Sequence, residues 1–122
     1  MRLLLVDDSQ TFRDSLSVFF YEHGIQCSTA ENGELGLEVW NNNTDIDLVI
    51  ADHNMPIMSG IEMVSKIRAT ETDGKKVPIF MLTAESSSSL KESAKELGVT
   101  AWIVKPVAND ALLKAVRKVL GI

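Results

Sequence analysis

The stretch Leu3-Leu4-Leu5-Val6-Asp7-Asp8 joins four apolar residues to two carboxylates. Side chains along a strand alternate between faces, so a short run that is apolar at every position reads as a strand covered on both sides. That is the situation in a parallel sheet flanked by helices. The pattern recurs: Leu48-Val49-Ile50-Ala51 closes at Asp52, Ile79-Phe80-Met81-Leu82 at Thr83, and Trp102-Ile103-Val104 at Lys105-Pro106. Another run, Ile25-Gln26-Cys27-Ser28, alternates apolar with polar residues and is expected at a sheet edge.

Helical spacing fills the intervals. Phe12, Leu16, Phe19 and Phe20 form one apolar face, with Gly24 as its stop, and Leu35, Val39 and Trp40 form a weaker one. Ile61, Val64 and Ile67 make the third, Leu90, Ala94 and Leu97 the fourth before Gly98, and Leu112, Ala115, Val116, Val119 and Leu120 the last. Five strands alternating with five helices are the pattern of an α/β fold with a doubly wound parallel sheet. Ligands of such sheets bind at the carboxyl ends of the strands, where the strand order reverses.

Three carboxylates (Asp7, Asp8, Asp52), one hydroxyl (Thr83) and one ammonium (Lys105) are all expected at that edge. Two carboxylates about 5 Å apart repel by roughly 3 kcal/mol at an effective dielectric near 20. Three together need a cation, a proton or a fixed ammonium. The cluster therefore reads as a site for a hard, oxygen-seeking metal and a phosphoryl group.

Composition narrows the classes. At 122 residues the chain is expected to be one domain, residues 1–122, and its 45% hydrophobic and 24% charged content is that of a soluble globular protein. A net charge of −5 lacks the basic footprint that direct nucleic-acid binding requires. The apolar start ends after Val6, too soon for a signal peptide, and no run reaches membrane-spanning length, so a cytoplasmic location is expected. The single cysteine, Cys27, has no partner for an internal disulfide and reads as a small core residue.

Taken in order, Leu4, Val6-Asp7-Asp8-Ser9, Asp52 through Gly60 (Asp-His-Asn-Met-Pro-Ile-Met-Ser-Gly), Thr83-Ala84 and Lys105-Pro106 resemble the receiver domain of bacterial response regulators, the CheY-like family. The resemblance runs nearly the whole length. It implies the sheet order 2-1-3-4-5, which sets Asp7 and Asp8 beside Asp52, and a cis Lys105-Pro106 bond. It implies that Asp52 accepts a phosphoryl group from a sensor histidine kinase. Mg²⁺ would be held by Asp8 and Asp52 directly, by Asp7 through water and by the backbone carbonyl of Asn54. Lys105 and Thr83 would contact phosphoryl oxygens. Thr83 would also couple to Trp102, an indole where the family usually carries tyrosine or phenylalanine, and so change the surface of the fourth helix, fifth strand and fifth helix for a downstream protein.

On this reading the chain is not an enzyme beyond catalysing its own aspartyl phosphorylation and dephosphorylation, and Glu85 and Asn54 occupy positions that tune the latter. With no effector after the final helix, the output is expected in trans. A chemotaxis-type regulator fits, as do a phosphorelay intermediate and a phosphate sink, and a phosphatase is a further expected partner. A phosphohydrolase with an aspartate nucleophile is disfavoured, because the general acid expected two residues after the nucleophile is replaced by Asn54. Individually the residues have plainer readings. Thr83 suits a strand end by propensity, His53 should point away from Asp52 by alternation, His23 suits a helix terminus, and the run Ser86–Ser89 suits a loop and helix cap.

Overall fold

The computed structural model describes residues 1–71 and 76–122. Its elements alternate without exception: β1 (Arg2–Val6), α1 (Gln10–Glu22), β2 (Gln26–Ala30), α2 (Gly33–Asn42), β3 (Leu48–Ala51), α3 (Gly60–Thr70), β4 (Ile79–Thr83), α4 (Ser88–Glu96), β5 (Ala101–Val104) and α5 (Asn109–Leu120). All strand pairs are parallel, in the order β2-β1-β3-β4-β5. β1 and β3 are thus neighbours, with Val6 paired to Ala51, and the order reverses between them.

The continuous apolar runs of β1, β3 and β4 are explained by two cores, one on each face of the sheet. Trp102-Ile103-Val104, expected to be covered on both sides, instead forms the half-buried edge strand β5 with Val104 exposed, because it has a neighbour on one side only. Leu3, Leu5, Ile50, Phe80 and Leu82 pack with Leu16 and Phe20 of α1 and with Leu112 and Val116 of α5. Their alternate neighbours Leu4, Val6, Val49, Ala51, Ile79 and Met81 pack with Met63, Val64 and Ile67 of α3, against which Leu37, Val39 and Trp40 of α2 also lie. Burying one such side chain contributes roughly 1.5–3 kcal/mol, so a polar residue inside any of these runs would be costly. The polar residues therefore begin where the strands end.

The alternating run does lie at an edge, but β2 starts at Gln26 and continues through Thr29 and Ala30. The shift follows from register, since Arg2–Val6 pair with Gln26–Ala30, while Ile25 precedes the strand and is still buried. Cys27 is half-buried there, and burial pushes its thiol up to about 11. A protonated thiol is a poor nucleophile, in keeping with a packing role. Gly24, with φ 79°, ends α1 as expected, and His23 at the C-cap bonds its Nδ1 to the Phe19 carbonyl at 2.8 Å.

The β3–α3 segment contains one strained residue. Met58 N–H donates to the Pro56 carbonyl at 2.7 Å, closing a three-residue turn with Ile57 at its centre at φ 72°. A β-branched residue in left-handed backbone is an outlier, costing about 1–2 kcal/mol, and Ile57 is 74% exposed, so packing recovers little. Ile57→Asn should raise stability by about 1 kcal/mol, because Asn tolerates positive φ. A urea midpoint unchanged or lowered in the variant would contradict this.

Candidate functional site

Asp7, Asp52 and Lys105 each take their position from the strand they follow, and Thr83 is the last residue of β4. Asp7 follows β1, and its N–H donates to the Ala30 carbonyl at 3.1 Å. Asp52 follows β3, with its N–H on the Val6 carbonyl at 2.9 Å, and the Lys105 N–H beyond β5 bonds to the Thr83 carbonyl at 2.9 Å. These ladder-like bonds carry the sheet's order one residue past its end. The Lys105-Pro106 bond is cis.

Asp7, Asp8 and Asp52 meet as expected, each offering a carboxylate oxygen, with these atoms all within 4.8 Å of one another. Asp7 is buried and Asp8 exposed. The Lys105 ammonium binds Asp7 Oδ2 at 2.7 Å and Asp52 Oδ2 at 3.4 Å, with its side chain 24% exposed. Burial alone would pull the Lys105 ammonium down, but the hydrogen bond and charge of Asp7, with Asp52 adding to them, leave it above its ordinary value. Lys105 is therefore charged at neutral pH. One ammonium facing three carboxylates leaves an excess of negative charge and an open, exposed acidic side. All the donors there are hard oxygens, the set that suits Mg²⁺ or Ca²⁺ rather than a thiol-seeking metal.

Asp7 Oδ1 accepts from Ser9 N–H at 2.9 Å, and Arg13 Nη1 donates to the Asp7 carbonyl at 2.6 Å. Ser9 caps α1 through Phe12 N–H, at 3.2 Å. Asp52 Oδ1 accepts from His53 N–H at 2.6 Å. His53 is half-buried, and its Nδ1 is buried with no hydrogen-bond partner among the described residues.

Thr83 is fully buried, and its Oγ1 accepts from Glu85 N–H at 3.2 Å. Trp102 is half-buried and its Nε1 donates to the Glu85 carbonyl at 3.0 Å. The Glu85 side chain accepts from Asn54 Nδ2 at 2.9 Å. One residue thus links the β3–α3 segment, Thr83 and the indole. Ser87, within the serine run, is the N-cap of α4.

Sequence reasoning missed three features here. Ser9 was legible as a helix start by its type and place before the apolar face. The backbone bonds of Glu85 leave no mark in residue type. Phe12 reads as core by its spacing, yet its ring lies beneath the Lys105 ammonium, with Nζ 4.3 Å from the ring centroid.

Comparison with known proteins agrees with this geometry. The family model described as response regulator receiver domain matches residues 3–117. The chemotaxis protein CheY1 of Helicobacter pylori is 38% identical over 128 residues, covering 99% of this chain and 98% of that protein. Among solved structures, the Vibrio cholerae chemotaxis protein CheY4 matches with a TM-score of 0.88 at 37% identity, covering 98% of both chains. The Thermotoga maritima response regulator TrrA, in complex with Mg²⁺-BeF, matches with a TM-score of 0.84 at 35% identity and the same coverage. The chain belongs to the response regulator receiver domain family, and its function is that of a phosphorylation-activated response regulator.

Proposed function

We propose that Asp52 is the phosphoacceptor of a chemotaxis-type regulator, receiving its phosphoryl group from a phosphohistidine of a sensor kinase. The observation that carries this reading is the Lys105 ammonium bridging Asp7 and Asp52 at 2.7 and 3.4 Å beside an exposed third carboxylate. An Asp52 oxygen attacks phosphorus, the P–N bond breaks, and the imidazole leaves with the electron pair and is reprotonated. Phosphoryl transfer asks mainly for alignment and charge neutralisation. Lys105 supplies part of the latter, and the buried Asp7 fixes Lys105.

Mg²⁺ fits the donor set of Asp7, Asp8 and Asp52, with the Asn54 carbonyl as a further ligand. Bound there, it would screen the carboxylates and the phosphoryl oxygens. The relative TrrA, whose solved complex contains Mg²⁺-BeF, supports that choice of ion. The chain's own chemistry is then limited to gaining and losing a phosphoryl group on Asp52, with a phosphatase as a further partner. Incubation with acetyl phosphate and Mg²⁺ should add one base-labile phosphoryl group by intact-mass spectrometry. Excess chelator should prevent it. No added mass with Mg²⁺, or equal uptake after chelation, would overturn the reading.

The chemotaxis assignment rests on the relatives' names, and the output face on the Thr83–Glu85–Trp102 chain. The Thr83 hydroxyl has a free proton to donate to a phosphoryl oxygen while Oγ1 still accepts from Glu85. Any shift of Thr83 therefore pulls on the residue whose carbonyl holds the indole. The surface formed by α4, β5 and α5 changes with it and presents itself to a downstream protein. In a Trp40→Phe background, activation should alter Trp102 emission. Thr83→Ala should leave phosphoryl uptake within about fivefold while removing most of that emission change, since a lost neutral hydrogen bond is worth about 1 kcal/mol. Equal changes in both proteins would exclude this route.

A further inference from the structure

We propose that Phe12 is a positioning residue for Lys105, holding its ammonium over the phosphoryl site through the face of its ring. The inference rests on the proposed role of Lys105 in phosphoryl transfer. An ammonium carries three N–H donors and no acceptor. Asp7 Oδ2 and Asp52 Oδ2 take two directions at 2.7 and 3.4 Å, and the Phe12 ring, centred 4.3 Å from Nζ, covers another side.

The ring is held by the same residue that holds the ammonium. Asp7 Oδ1 accepts from Ser9 N–H, Ser9 Oγ accepts from Phe12 N–H, and Asp7 Oδ2 accepts from Lys105 Nζ. Asp7, Ser9, Phe12 and Lys105 thereby form a closed circuit, two of whose links are side chains meeting at one ammonium. Phe12 also packs on the core shared by α1 and α5, which limits its swing.

A ring face suits this task better than a third carboxylate. It attracts the cation without competing strongly for its N–H groups, and it adds no negative charge where a phosphoryl group must enter. When Asp52 is converted to its acyl phosphate, the contact to Asp52 must be exchanged for one to a phosphoryl oxygen. Asp7 and the ring keep Nζ within reach during that exchange.

The test uses acetyl phosphate with Mg²⁺, so that no protein phosphodonor touches Phe12. Phe12→Leu should slow uptake by roughly three- to tenfold, the size of a partly desolvated cation–π contact. Replacing Phe12 with mono-, di- and trifluorinated phenylalanine keeps its shape nearly constant while weakening the ring's negative face. The logarithm of the rate should then fall in step with fluorine count, and Phe12→Trp, the strongest cation-binding ring, should retain more activity than Phe12→Leu. An independent readout needs neither metal nor phosphate: the Lys105 ε-methylene protons should resonate upfield by ring-current shielding and return to ordinary shifts in Phe12→Leu. A rate flat across the fluorinated series, or ordinary ε-methylene shifts in the parent, would overturn the role of Phe12. Failure of the parent to take up phosphate would instead overturn the function on which it rests.

Discussion

Asp52→Asn should retain the fold and lose phosphoryl uptake from acetyl phosphate, a fall of at least about a hundredfold. Removing a nucleophile outright eliminates the covalent step, and an amide oxygen of similar shape does not replace it. The fold should survive because Asp52 lies at the end of β3, outside both cores, and its backbone N–H bond to Val6 does not depend on the side chain. Fewer carboxylates also mean less repulsion in the metal-free protein. Intact-mass spectrometry of parent and variant, treated side by side, decides this. Comparable uptake by Asp52→Asn would place the acceptor on another residue.

Gly60→Ala should destabilise the protein by about 3 kcal/mol and disturb the site with it. A Cβ built at Gly60 overlaps the Asp52 carbonyl oxygen and crowds Met81 Cε. The methyl of Met81 can move aside, but the backbone of Asp52 cannot, because its N–H is tied to Val6 across the sheet. Gly60 N–H also closes the segment by donating to the His53 carbonyl at 3.0 Å. Alanine's better helix propensity at the start of α3 would return at most about 1 kcal/mol, so the overlap wins. A urea melt in which the variant matches the parent would show that this close approach is dispensable. Because the displaced group is the backbone of Asp52 itself, the variant's remaining folded fraction should also take up phosphate more slowly.

These two residues illustrate what the primary structure discloses. The ends of β1, β3 and β4 were legible because those strands are buried on both faces, so the change to a polar residue after Val6, Ala51 and Leu82 marks where their apolar runs stop. The end of β5 was legible from Lys105-Pro106 alone, since that edge strand is half-buried and Val104 is exposed. Edge placement of the alternating run was legible for the same reason, since β2 has one neighbour and a more exposed surface. Its exact start was not, because Ile25 is apolar and buried whether or not it pairs in the sheet. Phe12 was misread in part. Helical spacing reports which side of α1 faces inward, but at the first turn that side faces the ammonium as well as the core. The hydrogen-bonded link from Thr83 to Trp102 through Glu85 uses backbone N–H and C=O groups, which every residue other than proline carries. No pattern of side chains announces it. Likewise the strain at Ile57 belongs to a φ angle that an isoleucine would not advertise.

The most direct measurement of the central claim is borohydride trapping of the phosphorylated protein followed by peptide mapping. Hydride reduces an aspartyl phosphate to homoserine with release of phosphate, so the product records the acceptor's position after the labile bond is gone. After acetyl phosphate and Mg²⁺, homoserine should appear at position 52 and nowhere else, and it should be absent when chelator is added before the phosphodonor. Homoserine at position 7 or 8, or its absence from a protein whose intact mass shows phosphorylation, would contradict the assignment of Asp52 as the group around which this site is built.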